Sequence, residues 1–167
     1  MRKSITIFLI ALGFILASSA ANALDYKDWV PLLPESIGGL DKQGDAEGMN
    51  MEKGSQSWAS LNQPYADGEG NTLRVTIVSG TDAPVMKKFQ TLQKFNMETA
   101  EKNVKTTEIS GHKAVLSLHK KGGESNLMIA AQKNTLVIIA TDSFDSEKQL
   151  VSLARDVPLE DIADSIQ

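Results

Sequence analysis

The chain has 167 residues, 17 Lys and Arg against 21 Asp and Glu, a net charge of −4 and no Cys. Without Cys it has no disulfide, no zinc–thiolate centre and no thiol nucleophile. The acidic balance and the lack of a basic tract argue against nucleic-acid binding by phosphate neutralisation and against docking on anionic lipid.

Residues 1–23 read as an address label. Arg2 and Lys3 precede an apolar run over residues 5–17, and the small residues Ser18 to Ala23 end in an Ala-x-Ala site. The run is too short to span a bilayer, which takes about 20 apolar residues. The expectation is an exported protein cut after Ala23, with residues 24–167 forming one domain large enough for its own core. No Cys stands at the first mature position, so a bacterial lipid anchor is not expected. The leader holds two basic and no acidic residues, so the mature chain carries 15 basic and 21 acidic groups, net −6. It is expected to be soluble after cleavage, periplasmic or secreted, without membrane insertion. It must be stabilised by its core rather than by disulfides.

Residues 24–33 (LDYKDWVPLL) suggest one or two helical turns, ended by Pro34 and Gly38-Gly39, with Trp29, Val30, Leu32 and Leu33 packed on the domain. Residues 40–60 are polar and punctuated by glycine; the best strand lies at 55–61. Tyr65 extends that strand past Pro64 if it is an edge. The turn 67–71 leads to Leu73, Val75 and Ile77, which alternate with Arg74 and Thr76, and a hairpin follows from the two strands. Thr81 to Pro84 starts a helix, with Asp82 as its cap. Val85, Phe89 and Leu92 form its apolar stripe, flanked by Met86 and Phe95; Lys87, Thr91, Lys94 and Glu98 face away.

Four strands come next, at 104–109, 113–119, 126–131 and 135–141, divided by the turns Ser110-Gly111, 120–123 and 132–134. The last reads TLVIIAT and is expected at the centre, covered on both sides. Residues 146–157 form a second helix, with Ser146 and Gln149 as a capping box and Leu150, Leu153 and Val157 as the stripe. Pro158 ends it, and Leu159, Ile162, Ala163 and Ile166 mark a last amphipathic segment. Short turns between strands require antiparallel pairing. The fold class is therefore α+β: an antiparallel meander with a central amphipathic helix and C-terminal helices packed on it.

The run VKTTEISGHKAVLSLHKK…NLMIAAQKNTLVIIATDSFDSEKQLVSLARDVPLEDI resembles small exported bacterial domains of the PsbP-like kind. The likeness covers roughly residues 71–162 and is one of pattern, not of a signature motif. It implies an antiparallel sheet with flanking helices, and a binding or assembly role rather than catalysis. It assigns no functional residue.

Few residues offer chemistry. His112 and His119 lie seven apart, so on one regular strand they face opposite sides and cannot share a metal. Met49-x-Met51 is the nearest thing to a soft-metal motif, since thioethers favour Cu(I), but no His adjoins it. Asp67 to Asn71 has oxygen ligands at alternate positions, yet the sixth and twelfth places of a calcium loop hold Thr72 and Val78. No G-x-S-x-G, H-E-x-x-H or P-loop occurs. Trp29, Trp58 and Tyr65 fall in the least regular third and are the candidate binding residues, although core packing suits them too. No cofactor is implied. The reading is a non-catalytic exported domain that binds a partner protein, peptide or envelope component. An envelope hydrolase using carboxylates, or a metal-handling protein, is the alternative.

Overall fold

The computed structural model describes residues 24–166; the leader and its expected cleavage after Ala23 lie outside the described residues. A 3-10 segment, Tyr26–Leu32, leads into β1 (Ser36–Ile37), β2 (Leu40–Lys42), β3 (Glu47–Lys53), β4 (Gln56–Ala66) and β5 (Thr72–Ser79). Then come α1 (Pro84–Leu92), β6 (Met97–Glu98), β7 (Lys102–Ile109), β8 (His112–His119), β9 (Ser125–Gln132), β10 (Thr135–Thr141), α2 (Glu147–Arg155) and α3 (Leu159–Ser165). The strands form one sheet in the order β1-β2-β4-β5-β10-β9-β8-β7-β6, and β3 hangs on β4. All pairings among the described strands are antiparallel. This is an α+β fold.

Alternation along the strands sorts the core into two layers. Val75 and Ile77 of β5 and Val137 and Ile139 of β10 point to the face that also buries Trp29, Leu150 and Ile162 from the 3-10 segment, α2 and α3. Val78, Leu136, Val115 and Met128 point to the other face and meet Met86 and Phe89 of α1. β10 lies between β5 and β9 and is buried at six of its seven positions. Its unbroken β-branched run follows from cover on both faces.

Two helix boundaries differ from the pattern. Asp82 does not cap α1: the cap is Ala83, with no side-chain acceptor, and Pro84 opens the first turn. The Asp82 carboxylate instead accepts the Thr81 hydroxyl at 3.1 Å and the Gln56 amide at 3.4 Å. The helix stops at Leu92, so Phe95 stands exposed and Glu98 belongs to β6. The chain there is drawn onto the sheet edge, where the Thr106 N–H donates to Asn96 Oδ1 at 2.9 Å. At α2, Ser146 caps as expected: its Oγ accepts the Gln149 N–H at 3.3 Å.

The polar stretch before β4 holds three strands that its composition hides, β1, β2 and β3. Pro64 lies inside β4 with neighbours on both sides rather than on a bare edge: β5 pairs with one side, and β2 and β3 share the other. The Pro64 carbonyl accepts the Gln43 N–H at 3.0 Å, so its ring nitrogen faces the gap between β2 and β3, where no ladder donor is needed. The Gln63 amide fills that gap, donating to the carbonyls of Gln43, Gly44 and Pro64.

The β4–β5 turn is closed by Asp67, whose Oδ1 accepts the N–H groups of Glu69 and Asn71 at 2.9 Å and whose Oδ2 accepts the Asn71 amide at 2.7 Å. These bonds, led by the Asn71 side chain, hold the carboxyl below the usual range. A depressed carboxyl stabilises the fold above its unfolded pKa and loses that contribution as pH falls through the folded value. Unfolding free energy measured from pH 5 down to pH 2 is expected to fall less steeply in Asp67→Asn than in the wild type. Gly80 allows the chain to leave β5: at φ +124° an added Cβ would lie 2.4 Å from the Ser57 carbonyl and 2.6 Å from the Trp58 Cα. Gly80→Ala is expected to cost about 3 kcal/mol in urea denaturation.

Candidate functional site

The sheet ends differently on its two sides. At the β7 side, β6 covers part of the edge, and Gln93 and Asn96 take up Thr106, whose hydroxyl donates to the Gln93 carbonyl at 3.2 Å. At the other side, β3 pairs only with β4, over the register Glu47↔Asn62 to Lys53↔Gln56, and is exposed at all seven residues. Because the Pro64 carbonyl points toward β2, the alternate residues Asn62, Ser60, Trp58 and Gln56 of β4 point their backbone groups to β3. Their partners Glu47, Met49, Met51 and Lys53 answer them. Gly48, Asn50 and Glu52 therefore turn their N–H and C=O groups outward, where no described strand pairs with them.

The two faces of β3 also differ. On the face that carries the 3-10 segment, α2 and α3, Tyr26 lies over Gly48, where an added Cβ would meet its ring at 2.2 Å. Asn50 is clamped there as well: the Tyr26 N–H donates to its Oδ1, and its amide donates to Asp25 Oδ1, both at 3.1 Å. The Asn50 amide first, and then the Lys27 N–H, hold the Asp25 carboxyl below its usual range. On the opposite face stand Met49 (48% exposed) and Met51 (42% exposed), with half-buried Trp58 directly across from Met51. The result is a small apolar patch beside a row of unpaired backbone groups.

Of the three aromatic candidates, only Trp58 reaches this surface. Trp29 is 3% and Tyr65 1% exposed, and both belong to the core. The Tyr65 hydroxyl donates to the Pro34 carbonyl at 2.9 Å, and burial pushes its pKa up. Both rings pack in the core, and Tyr65 also borders a cleft at the end of β4. Met49 and Met51 share a face as their spacing requires, two thioethers with Ser60 and Trp58 across the ladder. His112 and His119 end the same unbulged strand on opposite faces. His112 Nδ1 contacts the Ala130 carbonyl at 3.2 Å and Nε2 contacts Glu160 Oε1 at 3.1 Å, which ties β8 to α3. Among the described residues no three His, Asp or Glu side chains converge.

Several open clefts lie among the described residues, two of them above about 300 Å³. One, of about 320 Å³, lies beneath α1 and is bordered by Phe89, Gln93, His112, Lys113 and Lys133. It presents amides and ammonium groups, but His112 is engaged at both nitrogens, so no free base faces it. The other, of about 620 Å³, lies at the far end of the sheet between Pro64, Arg74, Glu124 and Asp142. There Arg74 pairs with Glu124, and Asp142 accepts the hydroxyls of Thr72 at 2.9 Å and Ser143 at 3.3 Å. The Thr72 bond first, these hold the Asp142 carboxyl below its usual range. Asp25, Asp67, Glu98 and Asp142 are thus all held below their usual range by hydrogen bonds, the opposite of the raised carboxyl that suits a general acid.

The outward groups of Gly48, Asn50 and Glu52 were not among the residues that the sequence singled out. The signal for them was present: Gly54-Ser55 is a two-residue hairpin turn, and Glu47, Met49, Met51 and Lys53 alternate before it. No family model matches the chain, and comparison with curated proteins and with solved structures finds no match.

Proposed function

We propose that this chain is a non-catalytic, exported domain that binds a partner protein or peptide by strand addition along β3. The observation that carries this reading is the outer edge of β3: seven exposed residues, three of them with unpaired outward backbone groups, beside the exposed pair Met49 and Met51. Long bare edges invite pairing, and proteins ordinarily cover or shorten them. Among the described residues this one is left open, while the opposite edge is covered in part. In strand addition the main chain supplies affinity and alternate side chains supply selectivity. Here the selectivity would come from Met49, Met51 and Trp58. The PsbP-like resemblance of residues 71–162 implies the same kind of role. Export rests on the leader pattern of residues 1–23.

Two measurements test this. Intact mass of the protein recovered from the envelope fraction of its native cells is expected to place the N-terminus at Leu24; a cytoplasmic protein beginning at Met1 would overturn export. Glu52→Pro removes one outward N–H and leaves the bonds from β3 to β4 in place. Its circular dichroism is expected to match the wild type. Crosslinks formed in cells by a photoreactive residue at Met51 are expected to drop about five-fold, the equivalent of one lost hydrogen bond. Undiminished crosslinking in Glu52→Pro would sink strand addition.

A further inference from the structure

We infer that the strand added to β3 is β3 of a second copy of this chain, paired antiparallel about a two-fold axis through Asn50. This deepens the strand-addition reading and rests on it. The argument is one of register. Two copies related by that axis set Asn50 opposite Asn50, Gly48 opposite Glu52, Met49 opposite Met51 and Glu47 opposite Lys53. The outward backbone groups of Gly48, Asn50 and Glu52 meet their own kind, so the ladder continues without a break in hydrogen-bond parity.

The side chains agree with the backbone. Residues at odd positions of β3 share the face that carries Trp58. The two-fold therefore brings both Met49–Met51 pairs together, flanked by the two Trp58 rings, and covers apolar surface that is exposed in the single chain. At the ends of the ladder Glu47 faces Lys53 twice, and neither has an ion-pair partner among the described residues. Directly opposed unlike charges stabilise a strand pair and like charges oppose it. Sliding the register two residues either way sets Met51 against Glu47 or Met49 against Lys53, so the centred alignment alone matches charge with charge and thioether with thioether. An interface of this kind is isologous and closes at two copies, with no free β3 edge left to propagate.

The test is a charge exchange followed by sedimentation velocity of the purified chain, from micromolar concentrations up to about 0.5 mM, where even a weak contact associates. The wild type is expected to show a concentration-dependent dimer. Glu47→Lys alone places like charges together twice, as does Lys53→Glu alone, and each is expected to weaken the dimer about ten-fold at low salt. Mixing the two variants restores both unlike pairs, so an equimolar mixture is expected to form a heterodimer of near wild-type affinity. That recovery also shows both variants to be folded. A wild type monomeric throughout, or a dimer indifferent to both exchanges, overturns the second copy as the occupant. If the chain is monomeric while Met51 still crosslinks to a different protein in a manner sensitive to Glu52→Pro, strand addition stands and only the self-pairing falls. If those crosslinks are absent as well, both fall.

Discussion

The pairing of β5 with β10 is the contact on which the rest of the molecule depends. It joins Thr135↔Ser79 through Ala140↔Arg74 and unites two pieces built separately along the chain, the N-terminal hairpin and the C-terminal meander. Before it forms, each piece ends in an apolar strand with an unsatisfied edge; afterwards both edges are interior. The seam carries a buried polar mark, since the hydroxyls of Ser79 and Thr135 lie 2.9 Å apart and satisfy one another. Ile77 and Val137 lie opposite each other across it, both fully buried. The seam makes one continuous sheet, which α1 covers on one face and α2 and α3 on the other.

The chain order then fixes which edge is left open. After β5, α1 crosses three strands' width to start β7 at the far side, and the meander returns strand by strand to β5. The crossing segment passes β7 on its way and covers it through β6, Asn96 and Gln93. No described segment passes the outer edge of β3. Its hairpin projects from β4 before the central elements of the sheet have been reached, and the later helices settle on β7 and β9 rather than beside it. The uncovered edge is thus a consequence of topology, and its composition is what makes it usable: charged ends, a thioether pair in the middle, and no proline.

The legibility of the sequence follows the depth of burial. The meander was readable nearly to the residue: strands expected at 104–109, 113–119, 126–131 and 135–141 are β7 to β10, each longer by at most two residues at an end. Such strands bury one or both faces, so their apolar period is imposed by the core. α2 was equally plain because Ser146 both precedes a stripe and caps it. β3 was the hardest strand to read, since it buries nothing and its period encodes no core; only the Gly54-Ser55 turn and the alternation before it mark it. α1 was read too long because Phe95 continues a helical spacing, although the chain there answers to the sheet edge. Trp29 and Tyr65 show the limit of residue type as a guide: an aromatic suits a core as well as a surface, and only the fold separates them from Trp58.

A strand that buries nothing needs order from elsewhere, and β3 draws it from both ends and from one face. Gly54, at φ +63°, permits the tight turn into β4, and seven ladder positions follow in unbroken register. The Asp25–Asn50–Tyr26 clamp then pins the middle of the strand on one face. The clamp uses side-chain atoms of Asn50 and leaves its outward backbone groups alone, so rigidity is gained without closing the edge. Association costs less when the binding strand is already extended, because the entropy of ordering it has been lost in folding rather than at the moment of contact. A merely tolerated edge would have no reason to be clamped on one face, apolar on the other and bare between them. In β3 those three features coincide, and they are what supports the proposed addition of a second strand.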